Sequence, residues 1–106
     1  MFEIGHIAHP HLVQLADMFR LLGDPSRLRL VTVLCDRALP ATEAAKAAGM
    51  SPQLASHHLR LLRAARLLRA ERRGRRIVYG IADSHVHHML ADMVAHVAEP
   101  HPEEKD

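Results

Sequence analysis

The stretch from residue 83 to residue 99 places imidazoles and carboxylates at ordered spacing: Asp83, His85, His87, His88, Asp92, His96 and Glu99. Wound as a helix at about 100° per residue, His85, His88, Asp92, His96 and Glu99 share one narrow stripe. Met89, Leu90, Met93, Val94 and Val97 form an apolar arc beside it. Imidazole nitrogen and carboxylate oxygen are natural ligands for zinc, cobalt or nickel. One helix cannot gather them all. Asp83 and His96 stand thirteen positions apart, about 20 Å along a helix axis. Asp83 and His85 can supply two donors from the helix start, and His96 and Glu99 two from its end. Two such helices packed antiparallel across a twofold axis bring one start beside the other end and create two equivalent sites. The plainer alternative is a solvated polar face on which Asp92 pairs with His96 one turn away. Four N/O donors suit tetrahedral zinc or cobalt, whereas extra donors favour octahedral nickel or cobalt. His6, His9, His11, His88 and His101 are candidates for that extension.

A second chemistry lies upstream. Residues 51–81 hold eight arginines and one acid, Glu71, whereas residues 82–106 hold six acids and one lysine, so the modest net charge of +2 hides two opposed blocks. The basic block suits a polyanion. Residues 41–48 read as a short helix, Gly49 stops it, and Ser51-Pro52 opens a longer helix to about residue 66, the pattern of a helix-turn-helix. The first turns of the second helix in that motif enter the DNA major groove, and here they present Ser51, Gln53, Leu54, Ser56 and His57. Gln53, Ser56, His57 and Arg60 share one face and can hydrogen-bond base edges or phosphates. Two strand-like runs, 67–72 and 76–81, flank Arg73-Gly74-Arg75 and predict a hairpin bearing Arg69, Arg72, Arg73, Arg75 and Arg76. Arginines at such a tip can straddle a phosphate backbone or enter a narrow minor groove. The plainer alternative for these arginines taken alone is a solvated, solubilising face.

Further elements position these residues. Residues 1–9 read as a flexible arm. A helix over 11–22 places Leu12, Leu15, Ala16, Phe19 and Leu22 at helical spacing. Asp24-Pro25 begins another over 25–35, by the cap-then-proline rule, with Leu28, Leu30, Val31, Val33 and Leu34 inward. Residues 36–40 are a break, Thr42 a candidate cap for the next helix, and Leu54, Leu59, Leu61 and Leu62 the core-facing positions of the one after. Asp83 or Ser84 caps a last helix to residue 98, and residues 100–106 form a disordered tail. The whole is one domain, residues 1–99. Aromatic residues make up only 3%, so the core must be Leu, Val, Ala and Met. A domain this small buries a modest fraction of its surface, and dimerisation through a helix face would add to it.

Several classes are excluded. No run of 18 apolar residues exists, so no membrane span is expected. Residues 1–11 lack the pattern of a secretory signal, and the expected location is cytoplasmic. The single cysteine, Cys35, cannot build a disulfide framework and reads as a small buried hydrophobe. No H-E-x-x-H pattern or Ser/His/Asp arrangement supports an enzyme such as a small zinc hydrolase. A metal-storage role would leave the arginine hairpin without a purpose.

The segments LLGDPSRLRLVTVL, AAGMSPQLASHHLRLLRAARLL and RRGRRIVYGIAD resemble the ArsR/SmtB family of metal-sensing bacterial transcription regulators over about residues 12–99. The resemblance implies a mainly α fold with a small β-hairpin wing, a winged helix-turn-helix of order α-α-α-α-β-β-α, assembled as a homodimer on a palindromic double-stranded DNA operator. It maps the family's DNA-contacting Ser-His pair onto Ser56 and His57, with His58 where the family usually has Gln. It maps the C-terminal-helix metal site, Asp-x-His, ten residues, then His-x-x-Glu, onto Asp83, His85, His96 and Glu99. The thiolate box of other branches would fall near residues 39–43, where no Cys stands, so sensing of arsenic, cadmium or lead is not expected. Some nickel sensors of the family recruit terminal histidines, which bears on His6, His9 and His11. In most of the family metal weakens DNA binding and lifts repression. The alternatives are a winged-helix regulator without metal sensing, and a nickel-dependent activator or co-regulator.

Overall fold

The structure, a computed structural model, describes residues 3–100. After a short 3-10 turn at Ile4–His6 come α1 (His9–Leu22), α2 (Pro25–Asp36), β1 (Leu39–Pro40), α3 (Ala41–Ala48), α4 (Pro52–Ala64), β2 (Leu68–Arg73), β3 (Arg76–Ile81) and α5 (Ser84–Ala98). The sequence expected four helices, a hairpin and a fifth helix, and these are present. It missed β1, which lies within the expected break and pairs antiparallel with β3, Leu39 opposite Tyr79. The sheet therefore has three strands in the order β1-β3-β2.

Local chemistry sets the boundaries. Each helix start leaves orphan backbone N–H groups that a side-chain oxygen can accept. Asp24 Oδ2 accepts from Arg27 N–H at 2.9 Å, Ser51 Oγ from Leu54 N–H at 3.1 Å, and Asp83 Oδ1 from Val86 N–H at 3.0 Å. The cap expected at Thr42 is not formed. Pro40 occupies the cap position of α3 without a side-chain bond, because β1 runs directly into the helix and leaves Thr42 inside its first turn. Gly49 ends α3 at φ 70°, ψ 38°, the left-handed conformation in which glycine meets least strain. Gly74 opens the two-residue hairpin turn at φ 65°, as the favoured hairpin turns require of their first residue.

The core is aliphatic. Leu21, Leu22, Leu30, Val31, Leu34, Leu59, Leu62, Leu67, Leu68 and Leu90 pack together from α1, α2, α4, the wing and α5. Two expected inward residues point outward instead. Leu54 is 40% exposed and Leu28 37%: each lies off the face of its helix that is buried, formed by Ala55, His58, Leu59 and Leu62 on α4 and by Leu30, Val31 and Leu34 on α2. More telling, most of the apolar arc of α5 is uncovered. Leu90 is buried, but Met93, Val94 and Val97 are exposed, Val97 by 74%. On α1, Leu12, Val13, Leu15 and Phe19 are likewise exposed.

This arrangement predicts a sharp contrast on α4. Truncating the fully buried Leu59 to Ala should cost about 2–5 kcal/mol by lost transfer energy and an unfilled cavity. Leu54→Ala should stay within about 0.5 kcal/mol. Urea denaturation of both variants checks this, and equal losses would contradict the assignment of Leu54 to the surface.

Candidate metal centre and nucleic-acid interface

The donors expected on the last helix form two separate pairs. At the start of α5, His85 Nδ1 lies 3.7 Å from Asp83 Oδ1, and at its end His96 Nδ1 lies 3.9 Å from Glu99 Oε2. All four side chains are exposed, His85 by 94%. Asp83 uses Oδ1 to cap the helix, so that bond does not engage Oδ2. Glu99 sits just past the last helical residue with extended backbone, still within reach of His96. Among the described residues no group of three or more His, Cys, Asp or Glu stands together at one point. Among the described residues the four candidate donors thus stand as two separate pairs, one at each end of α5. The N/O chemistry of the pairs fits zinc, cobalt or nickel.

The other candidate donors divide. His88 is on α5 and stacks edge-on against His87, ring centres 5.9 Å apart. His6 lies 3.4 Å from Glu3, and His9 begins α1. His11 lines the same open cavity as Asp83 and His85, a proximity that the sequence pattern did not reveal. His101 lies outside the described residues. Cys35 is half-buried, and burial, aided by the Asp36 carboxylate, pushes its thiol pKa up. A thiol held protonated is a poor ligand.

The basic surface is built by α3, α4 and the wing. Gln53, His57 and Arg60 are exposed and Ser56 half-buried on α4, whereas the Ser51 hydroxyl is engaged as the cap. Arg72, Arg73, Arg75 and Arg76 are exposed on the hairpin. Two of them are tied down. Arg73 Nε donates to Glu71 Oε1 at 2.6 Å, and that bond holds the Glu71 carboxyl below its usual range. Arg76 pairs with Glu43 of α3, which straps the wing to the first helix of the motif. Among the described residues Arg60, Arg72 and Arg75 have no ion-pair partner.

The neighbour of His57 behaves differently. His58 is buried, its ring 5.7 Å from that of His57, and its Nδ1 finds no hydrogen bond among the described residues. Burial first, and then the nearby Arg27 guanidinium, hold its pKa below the ordinary value, with Asp24 opposing. At neutral pH His58 is uncharged. Below about pH 6.5 the unfolded chain takes up a proton that the folded chain resists, so stability should fall as pH drops through that value. Urea midpoints from pH 8 down to pH 5 test this. A His58→Gln variant should lose most of that dependence, and an unchanged slope would assign it to other groups.

A helix-turn-helix with an arginine-edged wing, carried on an all-aliphatic helical core, defines a winged-helix DNA-binding regulator. Residues 22–71 match the family described as helix-turn-helix domain. The chain is 40% identical over 86 residues to the transcriptional repressor SmtB homolog of Synechocystis sp., covering 81% of this chain and 65% of that protein. It thus spans just under two thirds of that repressor's length. It is 41% identical over 83 residues to the HTH-type transcriptional regulator NmtR of Mycobacterium tuberculosis, covering 78% of this chain and 69% of the other. Its fold is similar to the homodimeric winged helix-turn-helix DNA-binding domain Mb0332 of Mycobacterium bovis, a possible ArsR-family regulator, with a TM-score of 0.79, 28% identity and 95% of each chain covered. The chain belongs to the ArsR/SmtB family of metal-sensing winged-helix transcriptional regulators. Its relatives are regulators, not enzymes.

Proposed function

We propose that this chain is a homodimeric repressor that binds a palindromic operator in the cytoplasm and responds to zinc, nickel or cobalt held between the last helices of two copies. The observation that carries the reading is the split of donors on α5. Each end has an imidazole within 4 Å of a carboxylate, the two ends cannot meet within one chain, and an uncovered apolar strip runs between them. A contiguous exposed apolar face marks an interaction surface. The exposed faces of α1 and α5 supply one, and the similarity to a homodimeric domain supports a second copy as its occupant. Antiparallel α5 helices then bring Asp83 and His85 of one chain to His96 and Glu99 of the other.

Those four residues would hold the cation, which when bound supplies a cross-link between the two chains. The chain itself does the rest. Ala82 N–H donates to Leu67 O at 3.1 Å, so the approach to α5 is bonded to the exit from α4. Movement of the paired α5 helices is thereby carried to the DNA-reading helix. On DNA, Gln53, Ser56 and His57 face base edges, while Arg60, Arg72 and Arg75 meet phosphates; Ser51 supports them as the cap of α4. Arg73 and Arg76 stiffen the wing through Glu71 and Glu43 and add positive charge. Phosphate neutralisation makes affinity strongly salt-dependent. Cation and operator influence each other through one reciprocal coupling free energy, typically about 1–3 kcal/mol, with loading weakening operator binding.

A titration of DNA from the region upstream of the protein's own gene, with and without each metal, tests the reading. His96→Ala should lose tight metal binding and keep the operator affinity of the apo protein; equal loss of both would make His96 merely structural. His57→Ala or Arg75→Ala should weaken operator binding, a base contact being worth about 1–3 kcal/mol, and leave metal affinity intact. If both variants bind the operator normally, the DNA surface lies elsewhere, and operator binding that tightens on loading reverses the proposed direction. Sedimentation at micromolar concentration should give a dimer without metal, and Phe19→Glu combined with Met93→Glu should shift it toward monomer. A wild-type monomer would contradict the shared site.

A further inference from the structure

Most of the large apolar side chains left in water are on α1 and α5, among them Phe19, Met93, Val94 and Val97. Leu28 of α2 shares a groove with the three on α5. Leu54 is set among different neighbours. It is the one exposed large hydrophobe of α4 among the described residues. It stands in the first turn, between the buried face of Ala55, Leu59 and Leu62 and the exposed polar face of Gln53, His57 and Arg60. We infer that Leu54 reads the C5 methyl group of a thymine in the DNA major groove, so that each half-site of the operator carries a T·A pair where Leu54 meets it. The inference rests on the reading of α4 as the DNA-reading helix and adds a specificity determinant to it.

Local structure fixes where this side chain sits. The Leu54 N–H donates to the capping Ser51 Oγ at 3.1 Å, so its backbone is pinned at the helix entrance. Side chains on a helix lean toward its N-terminus, and that is the end of a reading helix that enters the groove. Leu54 lies about 60° round the helix from His57, three positions on. Side chains so spaced start about 5–6 Å apart, the span of one to two base-pair steps of about 3.4 Å. The surrounding charge identifies the occupant. Arg60 on the same helix and Arg72 and Arg75 on the wing are exposed cations, which suit a nucleic acid and not an apolar protein segment.

A leucine discriminates bases by apolar contact alone. In the major groove thymine presents a methyl group, whereas cytosine presents an amino donor and no methyl. Contact between the Leu54 side chain and the thymine methyl removes both from water, a gain of about fourfold in affinity for one methyl group buried. Cytosine at that position would set its amino group against a side chain with no acceptor, and an unmade hydrogen bond adds to the penalty. Leu54 therefore determines which sequence the helix prefers. It does not decide whether the protein binds DNA at all.

The test uses the full-length protein without metal and a duplex that the wild type selects from a random-sequence pool. That duplex should hold one thymine per half-site whose replacement by uracil, which removes only the C5 methyl, weakens binding about fourfold. Leu54→Ala should bind the thymine duplex at least about fourfold more weakly than wild type and should not respond to the uracil. Sequences selected by Leu54→Ala should no longer require the T·A pair. Leu54→Met, which keeps an apolar tip, should retain the uracil response. Binding of Leu54→Ala to duplexes of unrelated sequence rests on phosphate neutralisation and should match wild type; an equal fall on both kinds of duplex would make Leu54 merely structural and overturns the inference. Wild-type binding indifferent to every thymine-to-uracil replacement also overturns it, as does a uracil response undiminished in Leu54→Ala, and both results leave the reading helix in place. Failure of the wild type to select any sequence would instead contradict the reading of α4 itself.

Discussion

The spatial separation of donors along a rigid rod governs the rest of this molecule. Zinc–nitrogen and zinc–oxygen bonds are about 2.0–2.2 Å long, yet the two donor pairs of α5 sit about 20 Å apart. A helix of fifteen residues, Ser84–Ala98, cannot fold back on itself to close that gap. On the proposed reading each pair is half of a site, completed by a second copy running the other way. Charge agrees with that polarity. The C-terminal end of a helix favours a cation, the N-terminal end disfavours one, and Asp83 supplies the compensating carboxylate where the dipole is adverse.

The apolar surface follows the same logic. The core of the single chain is filled from α2, α4 and the wing, whereas α1 and α5 contribute little beyond Leu21, Leu22 and Leu90. Their remaining large side chains, among them Phe19, Met93, Val94 and Val97, are left in water. Small domains bury a modest share of their surface, and these two helices are where a second chain could add to it. The DNA-reading half has its own stiffening. Arg76 reaches Glu43 across the motif, and the Leu67–Ala82 backbone bond joins the exit of α4 to the approach of α5. The start of α5, where one proposed half-site lies, is thus joined to the exit of the reading helix by a backbone hydrogen bond.

Much of this was legible from local chemistry. Asp24, Ser51 and Asp83 cap helices because short polar side chains preceding a helical run satisfy its first N–H groups, and in the first two cases a following proline marks the same boundary. Gly49 and Gly74 lie where a turn needs positive φ. The donor pairs could be seen because helical spacing alone puts them at the two ends of one stripe. What escaped depends on contacts distant in sequence. Strand β1 exists through its pairing with β3, forty residues on, and it displaced the cap expected at Thr42. Leu54 and Leu28 satisfied the apolar pattern, but they lie off the buried faces of their helices. The burial of His58 near Arg27 and Asp24, the strap from Arg76 to Glu43 and the cavity shared by His11 and Asp83 each require the fold to be assembled first.

The most direct measurement mixes two variants, one carrying Asp83→Ala and His85→Ala, the other His96→Ala and Glu99→Ala. Neither homodimer should bind metal tightly, since each lacks one half of both sites. The mixed dimer regains one site, built from the start of α5 in one chain and its end in the other, so the account predicts one tight cobalt or zinc ion per mixed dimer. Tight binding by either variant alone, or none by the mixed dimer, would contradict a site shared between chains.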